Sequence, residues 1–294
     1  MKKILITGSS GMLGGSIVNS LKEKSYEVYG VSRNFNPQLS LENQFLIDLS
    51  DSNFAAKISV HFKPDIVIHT AACVNLNFCE ENKEFAYEFH VNASKKLAQL
   101  FQSAAFIYIS TDSVFDGQRG NYSETDVTNP LNYYAFSKQK GEESVMENHS
   151  NYAIIRTNIV GYHEPLKNSF FEWALKSLQG LKQINGFENV VFNPLYSGIL
   201  ADKLFQLLNM GFQSGVYNFG SSNFISKYSF VMNVAANLGL DESLISPKKL
   251  INEPNETARP LDTTLNTEKV QNLGISFPSI EENIHSLCLN LKKK

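Results

Sequence analysis

Tyr134 and Lys138 stand four positions apart in the run Asn132-Tyr133-Tyr134-Ala135-Phe136-Ser137-Lys138. On a helix that spacing puts a phenol and an ammonium on one face, one turn apart. A free tyrosine, with a pKa near ~10, is a poor acid–base at neutral pH. A neighbouring ammonium favours the phenolate and is expected to pull that value down. Tyr133 points about 100° away around the helix and is read as packing or as a substrate contact. Ahead of the pair, Thr111 follows the apolar run Ala105-Phe106-Ile107-Tyr108-Ile109. A hydroxyl at the carboxyl end of a strand faces the ligand crevice of an open α/β sheet. Phenol, ammonium and hydroxyl together suit proton delivery to an oxygen on which negative charge is developing. Such chemistry requires no metal.

The elements that must hold these groups are legible in order. Ile4-Leu5-Ile6 is a short apolar run that suits a buried parallel strand. It ends in Gly8-Ser9-Ser10-Gly11-Met12-Leu13-Gly14, after which Ile17, Val18 and Leu21 recur at helical spacing. Strand, glycine turn and helix form a cradle for an anion: small residues admit a phosphate, and the helix N-terminus supplies amide donors. Further strands are expected at Val28–Val31, Phe45–Leu49, Pro64–His69, Ala105–Ile109 and Ala153–Thr157. Ala71 and Ala72 follow the fourth strand and leave room for a cofactor, whereas His69 reads as a packed, hydrogen-bonded side chain. A helix is expected from Ser226 through Leu238, with Ser226 as its N-cap. Strands alternating with helices give an α/β, doubly wound parallel sheet of the Rossmann type.

At 294 residues, with 43% hydrophobic and 19% charged residues, the chain has the composition of a soluble globular protein. A net charge of -3 with no basic block before Lys292-Lys293-Lys294 argues against nucleic acid as a partner. The lysine tail reads as a solvated end. No apolar run is long enough to span a bilayer, and the apolar run after Met1-Lys2-Lys3 is too short for a signal peptide. Cys73, Cys79 and Cys288 read as reduced thiols, which gives a cytoplasmic expectation.

The G-x-x-G-x-x-G spacing resembles the extended short-chain dehydrogenase/reductases. Within them, Ser110-Thr111-Asp112-Ser113-Val114-Phe115-Asp116-Gly117 and Asn129-Pro130-Leu131-Asn132-Tyr133-Tyr134 through Glu142 resemble the dTDP-4-dehydrorhamnose reductase family. That family reduces the 4-keto group of a nucleotide-linked 6-deoxysugar. The resemblance covers nearly the whole chain, densely in the first half and thinly in the substrate lobe. It implies Thr111, Tyr134 and Lys138 as catalytic residues. It implies cofactor contacts at Gly8, Ser10, Gly11, Met12, Leu13, Gly14, Ser32, Arg33, Asp48, Leu49, Ala71, Ala72, Asn92, Tyr134 and Lys138. Asp48 matches the position that contacts adenine, and Asn92 the one that holds a proton-relay water. Ser32-Arg33-Asn34 lacks the acid that reads an NAD ribose, and a guanidinium suits a 2′-phosphate. NADPH is therefore expected, with NADH as the alternative.

Asn75, Asn77, Asp112, Ser113, Asn158 and Arg259 are the expected substrate contacts, Arg259 lying in the family-like Arg259-Pro260-Leu261-Asp262. The expected division is a dinucleotide-binding domain at 1–161, to which 193–222 returns, and a substrate-binding lobe at 162–192 and 223–294. The family's Tyr, Val-Asp and Trp are replaced here by Ser113, Leu76-Asn77 and Ile159. These are substrate-side departures, so the sugar is left open. A dehydratase of the same fold would carry a second acid after Asp112, where this chain has Ser113. An epimerase, or a regulatory subunit like the beta subunit of methionine adenosyltransferase, remains the alternative. A homodimer is the superfamily's habit.

Overall fold

The computed structural model describes residues 1–22, 24–59 and 62–293. Glu23, Val60, His61 and Lys294, the last residue of the lysine tail, lie outside the described residues. Six strands follow the apolar runs: β1 (Lys2–Thr7), β2 (Tyr26–Ser32), β3 (Gln44–Leu46), β4 (Ile66–His69), β5 (Ala105–Ile109) and β6 (Tyr152–Thr157). With Gly215–Phe219 they make one seven-stranded sheet, ordered Gly215–Phe219, β6, β5, β4, β1, β2, β3. Every pairing in it is parallel.

Both faces of this sheet are buried, which is why its strands read as continuous apolar runs rather than as alternating ones. Ile4, Ile6, Ile68, Ile107 and Ile155 pack on one face with Leu13 and Ile17 of the helix Met12–Leu21 and Leu204 of the helix Ser197–Met210. Leu5, Val67, Phe106, Tyr108 and Ile154 pack on the other with Leu97 of Ala93–Leu100 and Val145 of Tyr133–Asn148. Each fully buried aliphatic or aromatic side chain contributes roughly 1.5–3 kcal/mol. The helix positions are thus fixed by sheet packing, not by local propensity.

A separate apolar cluster joins Phe171, Leu175, Phe192, Phe230, Val234, Ile284 and Leu287. Its helices begin with side-chain caps. Ser169 and Glu172 form a capping box on Phe170–Gln179, Ser279 and Glu282 another on Ile280–Lys292, and Ser226 accepts from the Ser229 amide ahead of Lys227–Leu238. The strand order reverses between β1 and β4, and ligands of open α/β sheets bind at the carboxyl ends on either side of that point. The third strand is shorter than expected. It ends at Leu46 because Asp48 turns the chain, its carboxylate accepting from the Ser50 amide at 2.9 Å and hydroxyl at 2.8 Å. Among the described residues no helix is long and apolar enough to cross a membrane.

Candidate active site

A cleft of about 760 Å³ runs across the carboxyl edge of the sheet and under the loop 163–169. At its floor β1 turns sharply at Gly8, whose φ of +72° favours glycine. The Gly8 amide donates to Val31 O at 2.7 Å, which ties the turn to β2. A Cβ at Gly14 would collide with the Gly8 carbonyl oxygen. Gly11 caps the helix Met12–Leu21 without a side-chain hydrogen bond, so its first-turn amides face the cleft beside Ser10, Met12 and Leu13. The turn therefore fits a cofactor pyrophosphate. Ser32, Arg33, Asp48, Leu49, Ala71 and Ala72 continue the same wall. Arg33 is exposed and, among the described residues, pairs with no carboxylate.

Tyr134 enters from the helix Tyr133–Asn148, whose first turn is fixed by Asn132 accepting from the Ala135 amide at 3.0 Å. Its side chain is largely covered by protein but still lines the cleft, where Thr111 hydrogen-bonds its phenol. Lys138 is buried, donates to Ile109 O at 2.8 Å and lies 4.0 Å over the Tyr108 ring. Burial lowers its pKa to about 7, against the opposing pull of Glu142. The expected depression of Tyr134 is not found. Burial raises its pKa, and only the Thr111 hydrogen bond acts in the other direction among the main causes. The ammonium is directed at the Ile109 carbonyl and the Tyr108 ring, so desolvation of the phenol wins. A phenol that stays protonated is the form able to donate.

Behind this group lies a hydrogen-bonded layer that the sequence does not announce. The helix around Asn92 is interrupted by a π-turn at Glu88–Asn92, a geometry often found at functional sites. It places His90 edge-on to Tyr134, with ring centroids 5.8 Å apart. His90 Nε2 accepts from the Cys73 amide at 2.9 Å, so its proton sits on Nδ1 and is donated to Ser137 Oγ at 2.8 Å. Ser137 in turn donates to Tyr134 O at 2.9 Å. His69 is packed, as expected, between Thr7 Oγ1 at 2.6 Å and Ser94 Oγ at 3.0 Å, and burial lowers its pKa to about 3.

Asp112 is a buried member of the cleft wall. It accepts from Thr263 Oγ1 at 2.5 Å, Asn158 Nδ2 at 2.8 Å, Thr111 Oγ1 at 3.1 Å and Ser113 Oγ at 3.3 Å. With its lone pairs so engaged it positions Thr111 and Asn158. Arg156 and Glu142 form a buried ion pair at 2.7 Å, with Ser110 donating to Glu142 at 2.5 Å, which fastens the helix Tyr133–Asn148 to β5 and β6.

Five expected site residues are absent from the cleft wall. Lys138 sits behind Tyr134. Asn92 donates to Glu88 at 2.5 Å along its own helix. Asn75 caps the helix Leu76–Glu81 by accepting from the Phe78 amide, and Asn77 is exposed on that helix. Arg259 is exposed and held through its backbone by Asn252, although its charge reaches Lys227. The sequence reading missed the facing wall: His163, Lys167, Asn168, Ser169, Phe170 and Lys227. Glu172 shapes its loop, accepting from the His163, Lys167 and Ser169 amides at 2.7–2.8 Å. Burial works against that carboxylate, but these bonds lower its pKa to about 2. Lys227 Nζ lies 3.5 Å from the Phe192 centroid and 4.5 Å from that of Phe170. Burial lowers its pKa to about 8, Asp112 opposing and Arg259 assisting. Two signals were present in the sequence: the Ser169-x-x-Glu172 capping box, and a lysine in the first turn of a helix, where the dipole disfavours a cation.

Residues 1–292 match the family described as RmlD substrate binding domain. A probable low-salt glycan biosynthesis reductase, Agl14, of Haloferax volcanii is 27% identical over 96% of this chain and 96% of its own length. The methionine adenosyltransferase 2 subunit beta of Xenopus tropicalis is 30% identical over 93% of this chain and 83% of its own. The solved dTDP-4-dehydrorhamnose reductase of Bacillus anthracis, in complex with NADP, superposes with a TM-score of 0.86. It is 24% identical, and the match covers 98% of each chain.

Proposed function

This chain belongs to the RmlD substrate binding domain family, and on that premise we propose that it reduces the 4-keto group of a nucleotide-activated deoxysugar with NADPH. The observation that carries this reading is the meeting of Tyr134 and Thr111 in one cleft with the open amides of the Gly8–Gly14 turn. The glycine turn with Ser10, Met12 and Leu13 holds the pyrophosphate, Arg33 the 2′-phosphate, and Asp48 with Leu49 the adenine side. Bound NADPH supplies the hydride. Tyr134 donates its phenolic proton to the sugar O4 as charge builds there, and Thr111 hydrogen-bonds that oxygen. Lys138, behind the phenol, adds positive potential at the cofactor ribose. Lys227 and Lys167, on the facing wall, hold the diphosphate of the sugar nucleotide.

In the same reading, 1–161 with 193–222 carries the cofactor, and 162–192 with 223–294 carries the sugar nucleotide. The protein acts in surface-polysaccharide or nucleotide-sugar synthesis, as a homodimer in the cytoplasm. The relative that is a methionine adenosyltransferase subunit favours a second reading, a cofactor-binding partner protein without turnover. Tyr134→Phe separates the two. The reductase reading expects unchanged NADPH affinity and a loss of about 10²–10⁴-fold in turnover. Equal turnover in variant and parent would remove Tyr134 from the chemistry.

A further inference from the structure

The loop after β4 carries two cysteines that the proposed reaction does not use. Cys73 is half-buried and directly follows Ala72, which lines the cleft. Cys79 is fully buried in the helix Leu76–Glu81. The Cys79 thiol donates to Cys73 O at 3.4 Å, and each thiol shifts the acidity of the other. Cys288 is remote from both, packed among the hydrocarbons of the other lobe.

We propose that Cys73 and Cys79 form a reversible dithiol–disulfide site, oxidised by peroxides, whose closure weakens dinucleotide binding at the adjoining Ala71–Ala72 wall. The reduced geometry already orders the two roles. The Cys79 thiol, the Asn75 amide and the nearby Arg33 charge lower the Cys73 pKa against the effect of burial. The Cys73 thiol, with burial, raises that of Cys79. Thiolate character selects the attacking sulfur. Cys73 attacks hydrogen peroxide, forming an S–O bond as the O–O bond breaks; the leaving hydroxide takes a proton and departs as water. The Cys79 sulfur then attacks the Cys73 sulfenic acid, its thiol proton leaves with the displaced hydroxide, and a second water is released. Two thiols lose two electrons and one peroxide gains them. Once Cys73 is a sulfenic acid its negative charge is gone, and with it the interaction that held the Cys79 proton.

The closed state requires the sulfurs to meet at about 2.05 Å, which draws residue 73 towards residue 79. The Cys73 amide is bonded to His90, and its chain neighbours Ala72 and Val74 line the cleft. Closure is therefore felt at the wall and behind Tyr134. The effect on the dinucleotide rests on the proposed function, whereas the oxidation itself does not.

Both cysteines lie on one tryptic peptide ending at Lys83. The full chain is treated with hydrogen peroxide, alkylated, digested and weighed, and NADPH affinity is measured in parallel. The expected result is that this peptide loses two hydrogens, that dithiothreitol restores both alkylation sites, and that NADPH affinity falls on oxidation and recovers on reduction. In Cys79→Ser, Cys73 is expected to proceed to the sulfinic acid. The proposal is overturned if the parent forms sulfinic acid as readily as Cys79→Ser with no loss of two hydrogens. It is equally overturned if the peptide is unmodified, or if the disulfide forms with NADPH affinity unchanged. A reduced protein that fails to bind NADPH would instead contradict the functional reading, with the mass measurement still deciding the oxidation.

Discussion

Lys138 is expected to cost the fold stability in exchange for its place behind Tyr134, and replacing it with methionine exposes that cost. Its pKa moves from 10.5 to about 7 because burial penalises the ammonium. The unfolded chain therefore holds this proton more tightly than the folded one. The penalty is complete below about pH 7 and fades as pH rises towards the unfolded value. At about 1.4 kcal/mol per tenfold change in acidity, its upper bound is about 5 kcal/mol. Methionine removes the charge but leaves Ile109 O, now paired at 2.8 Å, without its donor. An unsatisfied buried acceptor costs about 1–3 kcal/mol. Lys138→Met should thus stabilise the protein by about 2 kcal/mol near pH 6.5 and lose that advantage near pH 9.5. Urea unfolding of parent and variant at the two pH values measures the difference, and a turnover assay should show the variant impaired. A variant that is less stable near neutral pH, or a difference that does not change with pH, would refute the reasoning.

Arg33→Ala should weaken NADPH binding by about 10–100-fold, the worth of a charge-assisted contact, and NADH binding far less. Isothermal titration with both cofactors measures this, and equal losses would show that Arg33 does not read the 2′-phosphate. Lys227→Gln should raise the KM for the sugar nucleotide by about tenfold with NADPH affinity unchanged. An unchanged KM would remove Lys227 from the diphosphate site.

The sheet was legible because strands buried on both faces leave unbroken apolar runs, as in Ile4-Leu5-Ile6 and Ala105–Ile109. The glycine turn was legible because Gly8, Gly11 and Gly14 meet a local backbone demand. The order of Thr111, Tyr134 and Lys138 could be read as well, but not the direction in which Lys138 points. That depends on Tyr108 and Ile109, which β5 supplies. Asp112 and Thr263 meet across 151 positions, a pairing that no local pattern encodes. The π-turn at Glu88–Asn92 was equally hidden, since it reflects the tertiary bonds of His90 to Cys73 and Ser137 rather than any helix breaker in the sequence.

The most direct test is to follow NADPH oxidation by the purified protein against a panel of nucleotide-linked 4-keto sugars. At least one is expected to consume NADPH mole for mole and yield the 4-hydroxy sugar, and Tyr134→Phe is expected to slow this consumption by about 10²–10⁴-fold. A folded protein that binds NADPH and oxidises it with no member of the panel would contradict the account.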